Sequence, residues 1–234
     1  MVDDEGEEIF ADKIGLMLAR DLAPLYPGST FVVDVKSTGL YATDPILAEN
    51  GCTTVYWKTG HSYIKRKTAE LGALAGFEKS GHFFFNAPLG RGYDCGLTAA
   101  AAILAMLDRN PGKRLSDLKK ALPVAYTSLT MSPHCPDEEK YAVVEDVVRE
   151  YQALAAAGGT VLGRHIKEVI TVNGVRVALD DGSWVLVRAS SNKPEIVVVV
   201  ESTRSEDDMR ALFRDEVKPR LARRPQVGAY NQEV

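Results

Sequence analysis

Glu78, Ser80 and His82 stand at alternate positions around Gly81 in the run GFEKSGHFFF, residues 76–85. A carboxylate accepts hydrogen bonds, and Ser and His both donate and accept, so the trio suits a neutral polyol. In an extended segment alternate side chains share a face, which would direct all three at one ligand. The competing reading is a solvated strand edge in which Gly81 is a simple bulge. Leu74, Phe77, Phe83 and Phe85 flank the trio and predict two short buried strands joined by a tight connection at Gly81.

Two further loops belong to the same edge. Phe31 to Val35 reads as a buried strand ending at Lys36-Ser37-Thr38-Gly39, and Thr53 to Trp57 as a second ending at Lys58-Thr59-Gly60-His61-Ser62. A basic helix follows from Tyr63 to Leu71. A glycine before a helix N-terminus is a ready anion site, because free N–H groups and the dipole favour negative charge. Successive strands that each hand over to a polar, glycine-containing loop are the pattern of a site built at strand ends. Lys36, Lys58 and His61 then share that edge with Glu78 to His82. Farther on, Arg188-Ala189-Ser190-Ser191-Asn192-Lys193-Pro194 offers a phosphate a planar fork and neutral donors. Ser, Asn and Pro also suit a hairpin loop for conformational reasons alone.

Helical spacing of Ile14, Leu18, Leu22 and Leu25 predicts a helix over Asp12 to Leu25, stopped by Pro27-Gly28. Leu40 to Glu49 reads as a helix, and so does the alanine-rich Leu97 to Leu107; Gly90 to Cys95 is a flexible connection. Ser116 is a candidate cap for a short helix that Pro123 ends. The pattern restarts at Val124 with a strand over Tyr126 to Met131 and a long helix over Pro136 to Ala157, with Tyr141, Val144, Val148 and Tyr151 on one face. Strands follow at 164–172, 175–179, 183–188 and 195–201, with turns at Asn173-Gly174 and Asp180-Asp181-Gly182, and a last helix runs from Ser205 to about Val217. That order is a small α+β domain with helices on one face of an antiparallel sheet. The expected division is 1–7 as the remnant of a preceding domain, 8–122 as an α/β domain and 123–234 as the α+β domain; residues 3–5 look disordered.

The 234 residues are 45% hydrophobic and 26% charged, the balance of a globular chain. A net charge of -4 argues against a general nucleic-acid binder. The basic groups Lys65-Arg66-Lys67 and Lys218, Arg220, Arg223 and Arg224 read as solvated faces. Cys52, Cys95 and Cys135 have neither disulfide-framework nor zinc spacing, which suits a reducing compartment. No apolar run has signal length or approaches the roughly 18 residues of a membrane span, so the expectation is a cytoplasmic protein with no membrane partner.

Four ordered stretches, DVK (34–36), WKTGHSYIKRK (57–67), FEKSGH (77–82) and RASSNKP (188–194), resemble the α-D-phosphohexomutases, within them the bacterial phosphomannomutase/phosphoglucomutase group. The resemblance covers about Glu5 to Val217. It implies an α/β/α first domain with a mixed sheet and a TATA-box-binding-protein-like α+β second domain, the family's third and fourth. It implies that Glu78 and Ser80 hold sugar hydroxyls, that His82 lies in the same loop, that Lys36, Gly60 and His61 line the cleft, and that Arg188, Ser190, Ser191 and Asn192 grip the phosphate not being transferred. The implied partners are mannose and glucose 1- and 6-phosphates and the N-terminal domains of a longer enzyme.

Phe77 replaces the family's usual glycine, Lys79 a common Met, and Ser191-Asn192 a common Asn-Thr. The family's phosphoserine motif Thr-Ala-Ser-His-Asn-Pro does not occur, nor does its Asp-Gly-Asp-Gly-Asp-Arg loop for Mg2+. The chain is therefore expected to be the C-terminal half of an isomerase that moves phosphoryl between C1 and C6, with no catalytic or metal-binding residue of its own and no turnover alone. The alternative is a stand-alone, non-catalytic phosphosugar-binding module.

Overall fold

The computed structural model describes residues 1–234, which form two compact units, Met1–Pro123 and Val124–Val234. No helix is long and apolar enough to cross a membrane.

The first unit is built on a four-stranded sheet in the order β2 (Thr53–Trp57), β1 (Thr30–Asp34), β3 (Ala75–Phe77) and β4 (Phe83–Phe85). β1 runs parallel to both β2 and β3, with Asp34 opposite Trp57 and Val33 opposite Phe77, so three strands end together at one edge. β4 returns antiparallel to β3. Because side chains alternate across a strand, β3 shows which helix covers which face. A Cβ on Gly76 would strike Thr68 and Ile64 of α3 (His61–Glu70), whereas Phe77 points the other way, where a Cβ on Gly15 of α1 (Ala11–Leu22) would come within 2.8 Å of its ring. The two helices therefore sandwich the sheet, and each packs closely because a glycine stands at its contact. Phe31, Phe83 and Phe85 join Phe77 in an aromatic layer beneath α1.

Several expected elements change length. α1 stops at Leu22, and Leu25 is exposed, since Pro24 lacks the N–H that another turn requires. The helix expected over Leu40 to Glu49 is a 3₁₀ turn, Gly39–Ala42, followed by α2, Pro45–Glu49. Pro45 disfavours helical backbone at Asp44, which is extended (ψ 122) and caps α2 by accepting from the N–H groups of Ile46 and Leu47. α4 spans Gly96–Asp108 and α5 Leu115–Lys120. Ser116 does not cap α5: it lies inside the helix, and its N–H and hydroxyl both donate to Asp4 at 3.0 and 3.1 Å. Asp3 receives Lys119 at 3.3 Å, and Val2 bridges Glu8, so residues 1–9 form an ordered turn against α5 and not a disordered leader.

The second unit is a six-stranded antiparallel sheet in the order β5 (Tyr126–Thr127), β10 (Ile196–Ser202), β9 (Trp184–Ala189), β8 (Val175–Leu179), β7 (Arg164–Ile170) and β6 (Thr160–Val161). Alternate residues Val175, Val177, Leu179, Val185, Val187, Ile196, Val198 and Val200 share one core with Val143, Val144, Val147, Val148 and Tyr151 of α6 (Lys140–Ala156). Tyr141 is exposed, contrary to its expected inward position. Lys140 turns in instead, donating to the Lys193 carbonyl at 2.9 Å. The strand expected over Tyr126 to Met131 is regular only at Tyr126–Thr127, as β5, with an isolated bridge from Met131 to Val198 beyond it. The last helix is longer than expected: α7 (Glu206–Ala211) widens into a π-helical turn, Leu212–Val217, then resumes as α8 (Lys218–Ala222). Pro219 near the start of α8 has no N–H to return to the preceding turn, and the wider turn accommodates that gap.

Candidate functional site

Asp34 closes β1 and is fully buried. Its Oδ1 accepts from Ser37 Oγ at 2.7 Å and from the Lys79 N–H at 3.4 Å, its Oδ2 from Thr59 Oγ1 at 3.2 Å, and Lys36 Nζ stands 3.9 Å away. One carboxylate thus ties together the loops after β1, β2 and β3. The first of these loops is also anchored from both sides: Thr38 donates its N–H to Asp12 at 2.9 Å and its carbonyl accepts from Tyr56 at 2.8 Å. Sequence reasoning did not single out Asp34; an acid ending an otherwise apolar strand was the available signal.

The segment carrying Glu78, Ser80 and His82 is a turn. Gly81, at φ 95, donates to the Glu78 carbonyl at 2.9 Å, and Glu78 donates to the His82 carbonyl at 3.0 Å. The expectation that the three side chains share one extended face is therefore corrected. Ser80 sits exposed at the tip, whereas Glu78 folds under and is only 1% exposed. Glu78 Oε1 accepts from the Gly60 N–H at 2.7 Å, and Oε2 is buried without a partner. Burial raises the Glu78 carboxyl above its ordinary value; the Gly60 N–H opposes this, nearby Asp34 adds to it, and His82 and Lys36 pull it down. Gly60, at φ 131, lies in a region L side chains rarely adopt, and it delivers both this N–H and the start of α3 at His61.

His82 Nδ1 lies 2.7 Å from Asp94 Oδ2, Asp94 Oδ1 accepts from the Phe83 N–H at 3.1 Å, and His61 Nε2 is 3.9 Å from Asp94 Oδ2. The His61 ring meets His82 and Phe84 edge-on, at 5.3 and 5.0 Å between centroids. Partial burial pushes the Asp94 carboxyl up, but the hydrogen bonds from His82 and Phe83 outweigh it and hold it below the ordinary carboxylate value. Asp94 was also missed, because it falls in a segment that reads as flexible; a backbone bridge to Phe84 fixes it.

In the second unit Arg188 is 8% exposed, and its guanidinium donates to the Ala189 carbonyl at 2.9 Å. Ser190 is buried and donates its N–H to Glu195 at 3.0 Å, while Ser191, Asn192 and Lys193 are exposed. Lys140 and the Cys135 N–H hold the loop through the carbonyls of Lys193 and Pro194, both at 2.9 Å. The loop is thus a donor-rich tip on a fixed base.

Mg2+ does not fit these residues. It demands near-octahedral oxygen ligands. The ligand atoms that do converge are two imidazole nitrogens and one carboxylate oxygen.

The two units give the chain a mixed α/β and α+β architecture, with polar loops gathered at the strand ends of the first. A model of phosphoglucomutase/phosphomannomutase alpha/beta/alpha domain III matches residues 10–126, and one of the same family's C-terminal domain matches residues 134–218. The chain belongs to this phosphoglucomutase/phosphomannomutase family and comprises those two domains. It is 31% identical over 220 residues to a phosphomannomutase/phosphoglucomutase of Pseudomonas syringae pv. tomato, covering 93% of this chain and 44% of that protein. With a phosphoglucomutase of Neisseria gonorrhoeae it shares 32% identity over 204 residues, covering 86% of this chain and 41% of that one. A family protein of known structure from Burkholderia thailandensis superposes with a TM-score of 0.78 at 28% identity, covering 97% of this chain and 44% of that one. The chain therefore spans less than half the length of the relatives it matches.

Proposed function

We propose that this chain supplies the sugar-reading and phosphate-holding halves of a hexose phosphate mutase that interconverts hexose 1- and 6-phosphates. The observation that carries this reading is Glu78, a buried carboxylate with one oxygen fixed by Gly60 and the other without a partner. A hydroxyl donor from a ligand would relieve that oxygen, since a buried acceptor left unmade costs about 1–3 kcal/mol. Ser80 at the turn tip and His82 beside it add adaptable donors and acceptors, and Lys36 and His61 add positive or polar character at the same edge. In the second unit Arg188, Ser190, Ser191 and Asn192 form the phosphate grip, with the exposed loop N–H groups as further donors.

Phosphoryl transfer needs an activated donor and a cation that neutralises developing charge. On this reading both belong to the remainder of a longer enzyme, Mg2+ included, and these residues bind, orient and discriminate. The free thiols Cys52, Cys95 and Cys135 accord with a cytoplasmic setting. The test is calorimetric titration of the chain with glucose 6-phosphate and mannose 6-phosphate, paired with a coupled mutase assay. Saturable binding without turnover is the expected result; no binding at millimolar ligand, or turnover matching that of a full-length relative, would overturn it.

A further inference from the structure

We propose that His61, His82 and Asp94 form a three-ligand site for a divalent cation of the Zn2+ type, and this inference stands whether or not the hexose phosphate reading holds. One ligand atom from each of His61, His82 and Asp94 lies within 4.8 Å of the other two, with 2.7 Å from His82 Nδ1 to Asp94 Oδ2 and 3.9 Å from His61 Nε2 to the same oxygen. A tetrahedral ion about 2.0–2.1 Å from each donor would set them about 3.3 Å apart. The two separations to Asp94 fall on either side of that value and need shifts of roughly half an ångström, while the His61–His82 gap, within 4.8 Å, must close by up to about 1.5 Å. All three side chains are partly exposed and can move that far.

Their backbones, by contrast, are fixed. His61 is the first residue of α3, the His82 carbonyl is held by the Glu78 N–H, and Asp94 bridges Phe84. The Phe83 N–H occupies Asp94 Oδ1 and so aims Oδ2 at both imidazoles, the outer-shell arrangement that orients a carboxylate ligand. Two imidazoles and one carboxylate select Zn2+, Co2+ or Ni2+ over Mg2+ or Ca2+. Three protein ligands leave a fourth position for water, so the bound ion is exchangeable and not a structural staple.

The test titrates the 234-residue chain with Zn2+ by calorimetry in thiol-free buffer and follows its histidine ring nitrogens by NMR. One equivalent is expected to bind while Mg2+ gives no saturable signal, and of the four histidines only His61 and His82 should shift. Zn2+ affinity should fall at least tenfold in each of His61→Ala, His82→Ala and Asp94→Asn, with Cys95→Ala unchanged as the thiol control. The wild-type NMR readout decides the matter even if a variant fails to fold. Absence of saturable binding, shifts centred on His134 or His165, or loss of binding only in Cys95→Ala would overturn the proposal.

Discussion

The Gly60 N–H donates to Glu78 Oε1 at 2.7 Å, which locks the loop after β2 to the turn after β3 and leaves Oε2 buried without a partner. Glu78→Gln can keep the acceptor for Gly60 but presents an amide donor where Oε2 was. Hexose phosphate affinity should therefore fall by about tenfold, near 1.4 kcal/mol, without loss of thermal stability, because the variant no longer buries a charge. Equal affinity in calorimetry would remove Glu78 from the site.

Asp34 gives a sharper structural prediction. Ser37, Thr59 and the Lys79 N–H all donate to it from different loops. Asp34→Ala withdraws that shared acceptor in a fully buried position and should cost about 2–4 kcal/mol in urea denaturation. In a double-mutant cycle Thr59→Val should add little once Asp34 is gone, whereas additive losses would show that the two do not interact.

What the sequence made legible was whatever rests on local chemistry. The strands of both units follow from β-branched and aromatic runs, and the Asn173-Gly174 and Asp180-Asp181-Gly182 turns from glycines at φ 71 and 88. The convergence of Lys36, Gly60, His61 and Glu78 on one sheet edge was readable because parallel strands end together. Burial and partners were not readable. Glu78 and Ser80 are two residues apart yet end buried and exposed, because the chain turns between them. Asp94 pairs with His82 across 12 residues, and Ser116 with Asp4 across 112, and no periodicity encodes such long-range contacts.

Gly174 and Gly158 allow a controlled comparison. Both have positive φ, 71 and 68, so alanine pays a similar backbone penalty of about 1 kcal/mol at each. A Cβ on Gly158 meets nothing within 4 Å, while one on Gly174 would run into the Val187 carbonyl and lie 2.6 Å from Arg188 Cα. Gly174→Ala should therefore be the more destabilising by at least about 1 kcal/mol in thermal or urea unfolding. It should also weaken phosphate binding by displacing Arg188. Equal losses in the two variants would mean that the turn over β9 is looser than the structure shows.

Glu150 on α6 accepts from Arg220 of α8 and from Arg224, both at 2.7 Å, and Arg220 also stacks on Tyr151 at 4.2 Å. Partial burial pushes the Glu150 carboxyl up, but the two arginines outweigh it and hold it below its ordinary value. A carboxyl depressed on folding adds stability above its unfolded value of about 4.3 and loses it as the pH falls through the folded value. Glu150 is about one-third exposed, so solvent screening limits the gain to no more than about 1 kcal/mol. Glu150→Gln should thus unfold at lower urea than the parent at pH 7, and the two midpoints should converge as the pH drops below about 4. A difference that persists at low pH would assign the effect to packing between α6 and α8 and not to the charge.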